Sequence, residues 1–283
     1  MRRLLTFCLI ILALFNVSFR WPLSDFKVTS TFGESRADHF HDGIDLVCPS
    51  NNIYAVADGK LVFSWNKLYF PTENYWGGGN YKIISHGDKF SIYMHIEDGD
   101  SLKSEVKAED IIAIMGNTGH SYGRHLHLSI LDPLAKESIN PLSLLPSLED
   151  KKAPEVLGFF LKIGDKYTML KDNSTIRLTQ HYPLLVSIKD SISGKENLGI
   201  YKLQVIVNEK DMLNVDFSKI SLTEKGLTVH NLPFINLFDE QGYYKIDGIK
   251  YRQGENFVIV KASDYSGNTT EKTFKVFVNL DIK

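Results

Sequence analysis

Short runs of alternating apolar and polar residues are the feature that most limits how this chain can fold. Between Trp21 and about Leu148 the runs are separated by clusters of Gly, Asn, Asp and Pro, with little helical periodicity. This pattern predicts strands of an antiparallel β structure. The predicted strands are Gly43–Val47, Asn52–Ala57, Gly59–Trp65, Tyr81–His86, Phe90–His95, Ile111–Gly116 and His125–Leu131.

A change in composition divides the 283 residues near Pro146–Pro154, where charge and proline are concentrated between two apolar regions. We predict one domain over residues 20–148 and a second, all-β sandwich over residues 155–283. The segment from Val260 to Asn268, together with Lys275–Val278, resembles the last hairpin of bacterial immunoglobulin-like or fibronectin-like modules. Further predicted strands are Val156–Ile163, Leu184–Lys189, Ile200–Val207, Asn256–Ala262 and Thr273–Val278.

The first residues predict export. Met1, Arg2 and Arg3 give a positive start, and an apolar run follows from Leu4 to Val17. Because the run is shorter than the roughly 20 residues of a bilayer span, it favours a cleaved signal peptide over residues 1–19. The expected location is the periplasm or cell envelope, with membrane anchoring if the signal is retained.

Charge and cysteine content exclude one class of function and one means of stabilising the fold. The 34 acidic residues nearly balance the 32 basic ones, so the chain lacks the positive excess of a general nucleic-acid binder. After loss of the signal, Cys48 would be the only cysteine, which excludes an intramolecular disulfide. Neither observation identifies a partner or an oligomeric state.

Two histidine clusters indicate a metal site. One runs from Asp38 to Asp45 and the other from Arg124 to His127. Even separations along a strand place His41 and Asp45 on one face, and likewise His125 and His127. Imidazole and carboxylate groups bind Zn²⁺ readily, and a site with three protein ligands keeps a fourth position for water, as in catalytic zinc sites.

The ordered set of motifs around these clusters resembles the lysostaphin-type zinc endopeptidases of bacterial cell walls. The resemblance covers roughly Val28 to Leu144. It rests on His41-x-Gly-x-Asp45, Ala55-Val-Ala-Asp-Gly59, Tyr93-x-His95, Gly116-Asn-Thr-Gly119, His125-x-His127 and Ile139-Asn-Pro-Leu142.

This resemblance implies that His41, Asp45 and His127 hold one Zn²⁺ per chain, while His95 and His125 handle protons beside it. It also implies an antiparallel β barrel or sandwich with the site in a groove between loops. The expected activity is zinc-dependent hydrolysis of a cross-link or stem-peptide bond in peptidoglycan. No substrate-binding residue is assigned.

Several alternatives stay open at this point. A non-enzymatic regulator of other wall hydrolases would be expected to lack metal ligands, and a wall-binding scaffold would hold a structural zinc with four protein ligands. The second domain could position the enzyme, cover the groove or bind an envelope protein. Aromatic residues of the long loop Asn66–Gly79 could line the groove or fix the loop to the barrel; they are Tyr69, Phe70, Tyr75 and Trp76.

Overall fold

The computed structural model describes residues 18–99 and 103–281. The predicted signal over residues 1–19 therefore lies almost entirely outside the described residues, although Phe19 is buried with its ring 5.4 Å from that of His86. No helix in the described ranges is both long and apolar enough to cross a membrane. The predicted all-β class is confirmed, since the described helices are the 3₁₀ turn Pro141–Ser143 and the single-turn helix α1, Phe234–Leu237.

All seven strands predicted in the first half are present, with ends shifted by no more than three residues. Short strands near residues 27, 105 and 137 were not predicted. The observed strands are Lys27–Ser30 (β1), Ile44–Val47 (β2), Asn52–Tyr54 (β3), Gly59–Trp65 (β4), Asn80–Ser85 (β5), Phe90–Ile96 (β6), Glu105–Val106 (β7), Ile111–Ile114 (β8), Leu126–Asp132 (β9) and Glu137–Ile139 (β10).

Strand β9 occupies the centre of the main sheet. It pairs antiparallel with β6 on one side, beyond which lie β5, β4 and β7, and with β2 and β10 on the other. Its alternating sequence explains this position, because Leu126, Leu128 and Ile130 are fully buried in the apolar core. The opposite face of the strand is left for His127 and Ser129.

The second half forms two further sheets, and all five strands predicted there are present. Strands β12, β11, β14 and β20 form one sheet, while β13, β22, β21, β15 and β16 form the other. Phe159 and Phe274 stack between the sheets with ring centroids 4.4 Å apart. The strands are Glu155–Ile163 (β11), Lys166–Leu170 (β12), Ser174–Leu178 (β13), Leu184–Lys189 (β14), Lys202–Val207 (β15), Lys210–Asp216 (β16), Lys219–Thr223 (β17), Gly226–Val229 (β18), Leu232–Pro233 (β19), Tyr244–Ile246 (β20), Gly254–Ser263 (β21) and Thr269–Leu280 (β22).

Strands β17, β18 and β19 extend the main sheet instead of either later sheet. Strand β17 pairs antiparallel with β10, and the Asn140 side chain donates to the Phe217 carbonyl oxygen at 2.9 Å. Phe40, beside the candidate metal ligand His41, packs edge-on against Phe234, with ring centroids 5.3 Å apart. The division into two domains stays a prediction, and residues from beyond its boundary complete the sheet of the first half.

Candidate metal centre

The three predicted metal ligands meet at one point. Asp45 of β2 lies directly opposite His127 of β9, so both side chains project from the same face of the sheet. His41 arrives from the loop before β2. The His127 Nδ1 atom is 3.0 Å from both His41 Nε2 and Asp45 Oδ1, and His41 Nε2 is 3.1 Å from Asp45 Oδ1.

This triangle fits a tetrahedral metal ion. Ligand atoms bound to zinc at about 2.0–2.1 Å lie roughly 3.3 Å apart, close to the observed separations. His41 and His127 are buried, and Asp45 is largely buried, which holds the three donor atoms in place. The donor set of two imidazoles and one carboxylate suits zinc and leaves one tetrahedral position for water or substrate.

Outer contacts orient each of these side chains. His41 Nδ1 donates to the Thr31 carbonyl oxygen at 2.7 Å, so the lone pair of Nε2 faces the centre. His127 Nε2 lies 2.9 Å from Ser129 Oγ and 3.3 Å from Asp42 Oδ1, which turns Nδ1 inward. These supporting contacts did not emerge from the sequence, because the carbonyl at Thr31 and the hydroxyl at Ser129 belong to no motif.

Arg36 provides a further contact that no sequence motif indicated. Its Nη2 donates to Asp45 Oδ2 at 2.7 Å and to Ser30 Oγ at 2.8 Å. Asp45 Oδ1 is thereby left as the oxygen that faces His41 and His127. The second oxygen of a carboxylate ligand usually accepts a hydrogen bond from a neighbouring group. A search of the sequence for such a donor near Asp45 could have identified Arg36.

His95 and His125 lie beside the triangle, with ring centroids 4.7 Å apart. His95 Nδ1 donates to the Thr118 carbonyl oxygen at 2.8 Å, and His125 Nδ1 donates to that of Gly123 at 2.8 Å. Both rings therefore keep Nε2 available, and that of His125 is 3.8 Å from Asp45 Oδ1. The structure thus brings together all five predicted site residues, three as a converging donor set and two as neighbours.

Burial and hydrogen bonding set the charges in this site. Burial lowers the pKa of His95 to about 4, so this imidazole is neutral near pH 7 and able to accept a proton. Burial alone would raise the pKa of Asp45, but hydrogen bonds with His127 and His41 outweigh it and lower that pKa. Asp42 and Asp45 together overcome the effect of burial on His127 and raise its pKa to about 9, and a bound cation would displace this proton.

Two aromatic residues of the long loop fix it to the sheet, which was one of the two alternatives for this loop. Phe70 and Tyr75 pack on Trp65 of β4, with ring centroids 6.0 and 5.8 Å away, and so fix the loop to the sheet. Trp76 is 75% exposed. The loop ends beside the site, because the His95 backbone amide donates to the Gly78 carbonyl oxygen at 2.8 Å.

Residues 39–141, which contain all five site residues, match the family model described as Peptidase family M23. This segment, called the M23 domain below, covers just over a third of the chain. The match confirms the family resemblance read from the motifs. A separate family model matches residues 153–279.

Curated relatives of the M23 domain include cell-wall enzymes. The DD-carboxypeptidase/endopeptidase Mpg of Neisseria meningitidis is 29% identical over 143 residues, 48% of this chain and 30% of the relative. The peptidoglycan DD-endopeptidase ShyA of Vibrio cholerae is 29% identical over 122 residues, 40% of this chain and 26% of the relative. The matched region thus spans about a third or less of these relatives.

Solved structures of peptidases are similar to part of the chain. A zinc-containing peptidase from Vibrio cholerae is 28% identical with a TM-score of 0.34, and the match covers 40% of this chain and 36% of that one. The catalytic domain of lysostaphin from Staphylococcus simulans is 28% identical with a TM-score of 0.28, covering 38% of this chain and 80% of that one.

Proposed function

We propose that this chain is a zinc-dependent endopeptidase that hydrolyses peptide bonds of bacterial peptidoglycan. The observation that carries the proposal is the triangle of His41, Asp45 and His127 donor atoms, with two further histidines beside it that keep Nε2 available. The DD-endopeptidase names of the relatives agree with this substrate.

In this proposal His41, Asp45 and His127 hold one Zn²⁺. When bound there, zinc would lower the pKa of a water molecule and polarise the scissile carbonyl. His95, neutral near pH 7, accepts a proton at Nε2, and His125 presents its own Nε2 on the same side to hydrogen-bond the reacting oxygen or the leaving amine. Arg36 keeps the Asp45 carboxylate oriented through its second oxygen.

The complete donor set favours an enzyme over a regulator that has lost its ligands. Three protein ligands also favour catalysis over a structural site, which normally uses four. We further propose that the chain acts in the periplasm or cell envelope on peptidoglycan peptides, with residues 155–283 forming an immunoglobulin-like domain that contacts the wall or an envelope protein.

Digestion of purified peptidoglycan tests the proposal. The purified chain should carry about one zinc and release fragments whose new amino and carboxyl termini are identified by mass spectrometry. His41→Ala should lose both zinc and cleavage, whereas the matched variant His39→Ala should keep both, because His39 is exposed and pairs only with Asp38 among the described residues. A zinc-loaded chain that binds peptidoglycan without cutting it would instead support the wall-binding scaffold.

A further inference from the structure

Three aspartates outside the M23 domain converge where the linker meets the second half. Asp150 lies in the linker, Asp190 directly follows β14, and Asp264 directly follows β21. One carboxylate oxygen from each residue lies within 4.8 Å of the other two. Asp190 is 5% exposed and Asp264 is 3% exposed, so two of the three acidic groups are withdrawn from solvent.

The Asp190 carboxylate has fewer partners than a buried charge requires. Its Oδ1 atom is buried and has no hydrogen-bond partner among the described residues. Across residues 18–99 and 103–281, no lysine, arginine or histidine forms an ion pair with Asp150, Asp190 or Asp264. An isolated buried carboxylate is strongly unfavourable, so the arrangement calls for a positive charge or a proton. Burial, reinforced by Asp264 and Asp150, outweighs a hydrogen bond from the Ser191 backbone amide and raises the pKa of Asp190 to about 7.

The surrounding hydrogen bonds hold the three groups in position. Both Asp264 oxygens accept from Asn268, one from its backbone amide at 2.9 Å and one from its side chain at 2.8 Å. The same Asn268 side chain donates to the Asp150 carbonyl oxygen at 3.2 Å. Backbone bonds in both directions between Asp190 and Leu198 fix the third aspartate. These bonds leave lone pairs on the carboxylate oxygens for another ligand.

We propose that Asp150, Asp190 and Asp264 bind a calcium ion. Three carboxylates offer only oxygen ligands and concentrated negative charge, which suits a hard divalent cation. Calcium accepts six to eight oxygen ligands in a flexible geometry, so three carboxylates that arrive from separate segments suit it better than magnesium, which requires a nearly ideal octahedron. Water would fill the remaining coordination positions.

The ion would fasten the linker to the ends of two strands in different sheets, since β14 and β21 belong to separate sheets of the second half. Its effect should therefore appear as stability of that half. The proposal is independent of the peptidase function, because none of the three aspartates lies in the M23 domain.

Calcium titration and thermal unfolding of the full chain test this site. Calorimetry should show one calcium bound with a dissociation constant of about 10⁻⁴–10⁻³ M or tighter, and saturating calcium should raise the Tm by roughly 5 °C.

Asp190→Asn should lose both effects, yet be at least as stable as the unmodified chain without calcium, because it removes a buried like charge. Asp165→Asn, in an exposed hairpin turn, is the matched control and should keep both.

Two further variants separate calcium binding from zinc binding and from a folding defect. His41→Ala should keep the calcium-dependent rise in Tm, because His41 belongs to the M23 metal centre. If Asp190→Asn fails to fold, Asp150→Asn provides the same test, because Asp150 is half-exposed. This variant should also lose calcium binding. The proposal is overturned if the unmodified chain shows neither binding nor a Tm shift at about 10 mM calcium, if both aspartate variants respond normally, or if magnesium stabilises the chain equally well.

Discussion

The ring of Phe217 lies so close to Gly33 that a Cβ atom at position 33 would stand 2.4 Å from its Cδ1 atom. Gly33 has a positive φ of 82°, and its amide donates to the His41 carbonyl oxygen at 2.8 Å. A residue just before β17 thus packs beneath the loop that positions the candidate metal ligand His41. Glu34 adds a second link, accepting from the Gly199 amide at 2.9 Å.

Gly33→Ala should therefore destabilise the chain by roughly 2–4 kcal/mol, through the left-handed backbone and the clash with Phe217 combined. Gly226→Ala is the matched control, because Gly226 has a φ of 84° with nothing within 4 Å of where a Cβ atom would stand, and should cost only about 1 kcal/mol. Urea denaturation measures the free energy of unfolding of both variants. Equal losses would show that Phe217 does not constrain Gly33. In a Phe217→Ala background, Gly33→Ala should cost less than it does in the unmodified chain.

His95→Ala and His125→Ala should each keep about one zinc per chain and lose roughly 10²–10⁴-fold in hydrolysis, because both rings lie beside the donor triangle and outside it. Metal analysis and a peptide-release assay on the same preparations separate binding from chemistry. Loss of zinc from His125→Ala would mean that His125, and not His127, completes the ligand set.

Arg36→Ala should weaken zinc binding by about 10–100-fold, because Asp45 loses the donor that orients its carboxylate. Competition with a chromogenic chelator measures the affinity, and Arg36→Lys should restore part of it. Arg20→Ala removes an exposed arginine–carboxylate contact to Glu109 of 2.5 Å and should leave the affinity unchanged. If both alanine variants bind zinc normally, Arg36 has no role in the site.

Trp76 and Tyr122 are strongly exposed aromatic residues on the two loops that hold His95 and His125. The Gly78 carbonyl oxygen accepts a hydrogen bond from the His95 amide, and the Gly123 carbonyl oxygen accepts one from the His125 ring. Trp76→Ala and Tyr122→Ala should raise KM for soluble peptidoglycan peptides by up to roughly tenfold, with kcat nearly constant, through lost stacking.

Leu134→Ala is the control for that experiment. Leu134 is as exposed as Trp76 but lies in the turn between β9 and β10, away from the loops that hold the two histidines. The KM of the Leu134→Ala variant should equal that of the unmodified chain. Trp76→Phe should keep most of the binding, and a lowered kcat in the alanine variants would point to a role in positioning the two histidines.

The sequence was informative wherever its signal was local. Alternation placed the strands, because strand geometry repeats every two residues. His41, in contrast, reaches Asp45 from the loop before β2 and not along a strand. Alternation says which face a residue occupies but not which strand lies alongside, so the pairing of β10 with β17 could not be predicted. For the same reason Asp150, Asp190 and Asp264, separated by 40 and 74 residues, share no pattern.

The short strand β19 has a consequence for how copies of this chain meet. Without β17, β18 and β19, the backbone N–H and C=O groups along one edge of β10 would be unpaired. They could then form hydrogen bonds with a strand of another molecule. The extended sheet instead ends at the two-residue strand Leu232–Pro233, and proline has no amide hydrogen to donate to an incoming strand. The opposite end, Glu105–Val106, is equally short. These two ends of the sheet are thus poor templates for pairing with strands of other molecules.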